Sequence, residues 1–212
     1  MRREARRDWP ARLRRLFVDA VHERLFLPRL GGAIGVSPTD AQWMRSVPGA
    51  RRAVTIRNGV DLEHFHPPTE STPTERARSL VFWGRLDFEP NIDAVRWFAD
   101  AVWPFLHAQH PDATWRIVGK CPASAVIVLN ERPGIEVVGP VGDVRVEAWS
   151  NQVTILPMQC GGGIKNKLLE AAAMARPIVA SPVAVRGLDV DSGATPWRVC
   201  RRRENWLHAV GA

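Results

Sequence analysis

The chain has 212 residues, 45% of them hydrophobic and 24% charged, with a formal net charge of +7. That length holds one sizeable domain and part of another, and the composition is that of a globular protein rather than a disordered or fibrous one. No apolar run approaches the ~20 residues that span a bilayer, the arginine-rich start has no apolar stretch before Pro10 of the kind a secretory signal carries, and Cys121, Cys160 and Cys200 lack CxxC spacing, which favours a reducing, cytoplasmic setting over a disulfide or zinc scaffold.

The positive charge is uneven. Residues 1–30 hold nine arginines against four acids, and a second cluster is Arg201-Arg202-Arg203. With no helix-turn-helix pattern, zinc spacing or aromatic RNA platform beside them, these clusters do not add up to a nucleic-acid partner. Residues 9–27 read as a basic amphipathic helix with Trp9, Leu13, Leu16, Phe17, Ala20, Val21 and Phe26 as its apolar stripe. Two readings stay open there: an ordinary helix packed on a domain, or peripheral contact of residues 1–30 with the anionic inner face of a membrane.

Next comes Gly31–Ser37, a short strand and turn. Ser37 caps a helix that Pro38 opens and that runs to about Met44, and Ala53–Ile56 is a second short strand followed by the turn signal Asn58-Gly59. Pro67–Arg78 is polar and proline-rich, a linker. Beyond it, strands begin near 80, 114, 135, 153 and 178. The helices predicted between them cover Asn91–Gln109, Pro122–Asn130 and Val144–Trp149. Spacing of that kind means βαβ units and a parallel sheet. Val190 onward lacks a clear strand or a long helix, and Asn205–Val210 offers only a helical scrap.

Ligands of such sheets bind beyond the C-terminal ends of the strands. Here those ends carry Gly84-Arg85, Gly119-Lys120, Gly139-Pro140, Cys160–Gly163 and Ser181, so glycines and cations converge on one rim. The most informative stretch is Val153–Ser181, VTILPMQCGGGIKNKLLEAAAMARPIVAS, which reads as strand, glycine loop, helix and strand. Ile164, Leu168, Ala171, Ala172 and Ala175 share one helical face, and Lys167 and Glu170 share another. Lys165 and Lys167 fall where the helix dipole is positive and cations are disfavoured, a conflict that a bound anion resolves. Gly161, Gly162, Gly163, free N–H groups and two lysines make a diphosphate seat. The alternative is a glycine-rich connector with a solvated Lys167–Glu170 pair, worth about 0.2–0.5 kcal/mol. No G-x-G-x-x-G follows the first strand of the sheet, which argues against a dinucleotide oxidoreductase.

GGGIKNKLLEAAAMARPIVAS resembles the donor-binding signature of retaining glycosyltransferases of the two-domain GT-B type, in particular bacterial sugar transferases associated with exopolysaccharide systems. VSPTDAQWMRS and NGVDLEHFHPP are similar to the end of their N-terminal, acceptor-side domain and the crossover, with Asn58, Gly59, Val60, Asp61, Phe65 and Pro67 matching as written. The resemblance implies an α/β, Rossmann-like parallel-sheet domain, the C-terminal half of a GT-B fold, preceded by a fragment of the N-terminal domain. It divides the chain into an acceptor-side remnant (1–66), a linker (67–78), a donor-binding domain (79–190) and an irregular tail (191–212).

By motif position, Gly161, Gly162, Gly163 and Lys165 or Lys167 hold the donor diphosphate, Arg85 of Gly84-Arg85-Leu86 is a second cation for it, and Glu170 bonds the ribose. The sequence departs from the pattern twice. Many relatives carry a lysine in the loop that here holds Asp87, Glu89 and Asn91, and the first of the family's two glutamates is replaced by Gly162. The implied partners are a nucleotide sugar and a glycan or lipid-linked acceptor. The resemblance implies no metal and no resident cofactor, and it names no catalytic residue, because the acceptor side is mostly missing. A nucleotide-sugar-binding module that works with a separate N-terminal domain fits the same motifs. The histidines show no Ser-His-Asp or metal-ligand spacing, and Cys160 reads as a small buried residue rather than a nucleophile.

Overall fold

Two short strands, Ala33–Gly35 (β1) and Ala53–Thr55 (β2), pair in parallel with Ala33 opposite Ala53. They do so because the chain between them crosses back as a helix, Pro38–Ser46 (α2), preceded by the helical residues 21–26 (α1). The computed structural model describes residue 18 and residues 21–68, 75–188 and 195–211. Ser37 caps α2, its hydroxyl accepting from the Asp40 N–H at 3.2 Å, with Pro38 inside the first turn. Gly35 lets α2 sit directly on β1, since a Cβ there would lie 2.7 Å from the Ala41 nitrogen. Of the predicted basic helix, Trp9, Leu13, Leu16, Phe17 and Ala20 lie outside the described residues, and Val21 and Phe26 are exposed.

The chain divides into two units after Arg57, so residues 58–66 group with the larger unit. In that unit the strands are Arg76–Trp83 (β3), Thr114–Val118 (β4), Ile135–Gly139 (β5), Asn151–Leu156 (β6), Ile178–Ala180 (β7) and Trp197–Val199 (β8). They form one parallel sheet in the order β5-β4-β3-β6-β7-β8. The chain winds outward from β3 to β5, returns to the far side of β3 as β6, and winds outward again, so the topological switch lies between β3 and β6. The connections are Glu89–Ala101 (α3), Trp103–Gln109 (α4), Ser124–Ile127 (α5), Val144–Ser150 (α6) and Asn166–Ala173 (α7), with Arg203–Gly211 (α8) last. Buried on both faces, the central strands are continuous apolar runs, and Leu80, Val81, Phe82 and Trp83 are all buried. Phe82, Phe98, Trp115, Leu106 and Trp206 form the middle of the core, each large side chain contributing about 1.5–3 kcal/mol.

Several expectations need correction. The helix predicted over 91–109 is two helices, because Pro104 opens a new one at α4. The linker is shorter on its C-terminal side, since β3 starts at Arg76 and bulges at Arg78, which has φ +44° and bonds Asp112 at 2.7 and 2.8 Å. Residues 195–211 of the expected irregular tail form β8 and α8, and Trp206 is fully buried against Phe98 and Trp97.

The segment 58–67 is anchored by its own side chains and by α6 and α7. Asp61 Oδ1 accepts from the Glu63 and His64 N–H groups at 3.0 Å, Arg145 and Trp149 donate to the His64 and His66 carbonyls, and Asn58 donates to Asn166 Oδ1 at 2.7 Å.

Candidate functional site

The crevice at the switch point is bounded by the loops leaving β3 and β6, where an open α/β sheet binds its ligand. The β3 loop opens with Gly84. A Cβ on Gly84 would lie 2.8 Å from both the Lys167 ammonium and the Asn91 amide, so only glycine leaves them their seat. Gly119, at the end of β4, is constrained too: a Cβ there would sit 1.7 Å from the Gly84 carbonyl oxygen.

Lys167 rises from the first turn of α7 and donates to Asn91 Oδ1 at 2.8 Å, with its ammonium 4.1 Å from the centre of the Phe82 ring. A cation over an aromatic face is stabilised by about 0.5–2 kcal/mol, which offsets only part of the cost of enclosing a charge. Burial pushes the Lys167 pKa down to about 7, the Glu170 carboxylate opposing the fall and the Lys165 charge adding to it. One turn on, Glu170 Oε2 accepts from the Trp83 indole N–H at 2.8 Å, at the end of β3. Asn91 links both sides of the crevice: its amide donates to the Arg85 carbonyl at 2.8 Å and its oxygen accepts from Lys167.

The glycine loop lies on the other wall. Gly161 and Gly163 adopt φ of +106° and +67°, conformations that L side chains rarely take. Gly162 has open space where a Cβ would stand. Lys165 is the N-cap residue of α7 rather than a first-turn residue, and its ammonium donates to the Gly162 carbonyl and, at 3.4 Å, to the Gly163 carbonyl. Its side chain makes no capping hydrogen bond to the first turn of α7. Ser181 donates to the Met158 carbonyl at 2.6 Å and fixes the start of the loop. Cys160 is exposed rather than buried, 3.7 Å from Asp93 Oδ2.

Arg85 stands on the same rim but forks onto its neighbour, with Nε 3.0 Å and Nη2 2.6 Å from the Asp87 carboxylate oxygens. That pairing raises the arginine further and holds Asp87 below the usual carboxylate range. Of the predicted site residues, Lys167 and Glu170 therefore converge on the end of β3, Gly161, Gly162, Gly163 and Lys165 form the facing loop, and Arg85 is turned onto Asp87. Trp83 and Asn91 are the members of this arrangement that sequence reasoning did not assign to the site. The only sequence signal for them is position: both flank Gly84-Arg85 at the end of β3. Among the described residues, no group of three or more His, Cys, Asp or Glu side chains is arranged to hold a metal ion, and no helix is long and apolar enough to cross a membrane.

Such a crevice offers a partly buried cation, a glycine loop with open space at Gly162 and a partly buried carboxylate one turn further in. Comparison with known proteins bears on the family and the fold that carry this crevice. Residues 77–209 match the family described as Glycosyl transferases group 1. Among solved structures, TarM (S. aureus) superposes with TM-score 0.68 at 14% identity, covering 87% of this chain and 36% of that one. HepE of Anabaena, solved with UDP and glucose, gives 0.67 at 14%, covering 91% and 56%. Sucrose-phosphate synthase of Thermosynechococcus elongatus gives 0.65 at 21%, covering 90% and 50%. At these identities the likeness is one of fold: the sheet is the Rossmann-like domain of a GT-B protein. The chain spans only about one third to just over half of those structures. The comparison with curated proteins gave no match.

Proposed function

Since this chain belongs to the Glycosyl transferases group 1 family, we propose that it is the donor-binding portion of an enzyme that transfers a sugar from a nucleoside diphosphate to an acceptor, with retained anomeric configuration, in exopolysaccharide or cell-surface glycan synthesis. The observation that carries this reading is the separate anchoring of Lys167 on Asn91 and of Glu170 on Trp83 at the switch crevice, which leaves a cation and a carboxylate that are not paired with each other along one helix. The diphosphate lies against Lys167, the start of α7 and the Gly161–Gly163 loop, with Arg85 as a second cation once it leaves Asp87 and with Lys165 steadying the loop. Glu170 accepts from the ribose hydroxyls. As the bond from the anomeric carbon to the diphosphate oxygen breaks, these cations and amides stabilise the leaving group. The acceptor oxygen bonds to the same face of that carbon and its proton passes to the departing phosphate. The nine arginines in the sequence of residues 1–30 suit contact with the anionic inner surface of a membrane where the acceptor is lipid-linked.

A second reading keeps the same crevice and the same ligand without the transfer: a nucleotide-sugar-binding module that works with a separately encoded partner. Robust sugar transfer by the purified chain rejects that second reading.

The first reading is tested by thermal shift with UDP, GDP and ADP on the wild type and on Glu170→Ala. A ligand at 100 times its Kd stabilises by about 2.7 kcal/mol, and the substitution is expected to shrink that stabilisation. A stabilisation unchanged in Glu170→Ala removes Glu170 from the site.

A further inference from the structure

Lys167 and Glu170 stand three residues apart on one face of α7, the spacing at which a lysine and a glutamate ordinarily approach each other. They form no ion pair here. The ammonium is drawn to Asn91 and the carboxylate is drawn to Trp83, both at 2.8 Å. Both partners come from the other side of the crevice, from the end of β3 and the start of α3. Trp83 is 5% exposed and Asn91 5% exposed, so each is fixed by its surroundings rather than free to follow its partner. An indole N–H only donates, and it therefore holds a carboxylate oxygen without competing for a ribose proton.

We propose that Trp83 is a positioning residue: its indole N–H holds Glu170 away from Lys167, so that the two charges do not neutralise each other and each meets its own end of a nucleoside diphosphate. This rests on the assignment of Glu170 to the ribose. With Oε2 taken by Trp83, the carboxylate keeps a fixed aim and presents Oε1 and the remaining lone pair of Oε2 to the sugar hydroxyls. Without the indole, Glu170 swings to Lys167. Both halves of the recognition then weaken together, although neither residue has been changed.

The test is the affinity of the full chain for UDP, GDP and ADP and, for the tightest of the three, for its 2′,3′-dideoxy counterpart. It is measured on the wild type, Trp83→Phe, Glu170→Ala and the double variant. The wild type is expected to prefer the ribose form by about 10-fold or more, as hydrogen bonds to a charged group do. Trp83→Phe is expected to lose most of that preference, to move the pH midpoint of diphosphate binding upward as Lys167 gains a carboxylate partner, and to have no further effect in the Glu170→Ala background. A wild-type preference that Trp83→Phe retains, or effects of the two substitutions that simply add, overturns the proposal and leaves the ribose assignment standing. A wild type without any preference for the ribose form overturns the ribose assignment and the proposal with it.

Should Trp83→Phe fail to fold, the indole N–H resonances of the ¹⁵N-labelled wild type and of Glu170→Ala decide the matter. One indole signal is expected to move on the substitution and on adding the nucleotide. Indole signals that all stay in place overturn the proposal.

Discussion

Trp83 and Trp115 stand on neighbouring strands of one sheet, both buried, and they serve different ends. Trp115 packs against Phe98 at 4.8 Å and Trp103 at 5.8 Å, and its indole N–H has no hydrogen-bond partner. Its value is apolar area, and the orphaned N–H is a cost that this area outweighs. Trp83, at the rim, has its N–H committed to Glu170, 87 residues away in the chain. A chain with nine tryptophans and no tyrosine thus uses one residue type for packing in the core seam, where Trp115 and Trp206 both meet Phe98, and for orientation at the switch crevice. Burial alone does not separate the two uses; the destination of the single polar atom does.

That contrast breaks most visibly in the seam. Trp206→Ala removes a fully buried ring from contact with Phe98 and Trp97 and is expected to cost about 3–5 kcal/mol, read by denaturant unfolding. The ratio of affinities for ribose and dideoxy nucleotides, measured where the variant is still folded, stays at the wild-type value.

The rim gives a pH signature that the seam lacks. The folded pKa of Lys167 lies near 7, below its unfolded value of about 10.4. Between those values the unfolded chain binds more protons, so the contribution of Lys167 to stability rises with pH across that window and is at its lowest, and flat, below about pH 7. A bound diphosphate favours the charged ammonium, so affinity runs the other way and falls above pH 7 by up to about tenfold per unit. Stability and affinity are therefore expected to change in opposite directions between pH 7 and 9, measured by unfolding and by calorimetry. Affinity that does not fall with pH removes the ammonium from the diphosphate.

Two smaller effects sharpen the comparison. Asp87→Ala releases the Arg85 guanidinium and is expected to tighten diphosphate binding a few-fold at low salt, since an exposed pair of this kind is itself worth only about 0–1 kcal/mol. Unchanged affinity would leave Arg85 outside the site. Gly162→Glu, placed in open space, is expected to change unfolding free energy by no more than about 0.5 kcal/mol, whereas the positive φ at Gly163 makes Gly163→Ala the costlier change.

The sheet was legible in the sequence because its central strands are buried on both faces and read as short apolar, β-branched or aromatic runs, Leu80–Trp83 and Val153–Leu156 among them. The glycine loop and the shared face of Lys167 and Glu170 were legible from helical periodicity. What periodicity does not carry is a hydrogen bond across the crevice. Trp83 looked like one more apolar strand residue and Asn91 like a loop polar, and their roles come from pairings 87 and 76 residues away. The chain's end is legible only in part: the short helix expected over Asn205–Val210 lies inside α8, Arg203–Gly211, whereas the strand Trp197-Arg198-Val199 is three residues long and shows no pattern until the sheet edge is in place. Pro104 was the overlooked signal for the break between α3 and α4.

The most direct test of the crevice as a nucleoside-diphosphate site is calorimetric binding of UDP, GDP and ADP to the wild type and to Lys167→Met, which keeps the length of the stem and removes the charge. The account predicts a variant that folds with stability near the wild type and binds the preferred diphosphate at least ~10-fold more weakly, the order of a lost charge-assisted hydrogen bond. Equal affinity in the two proteins would contradict it.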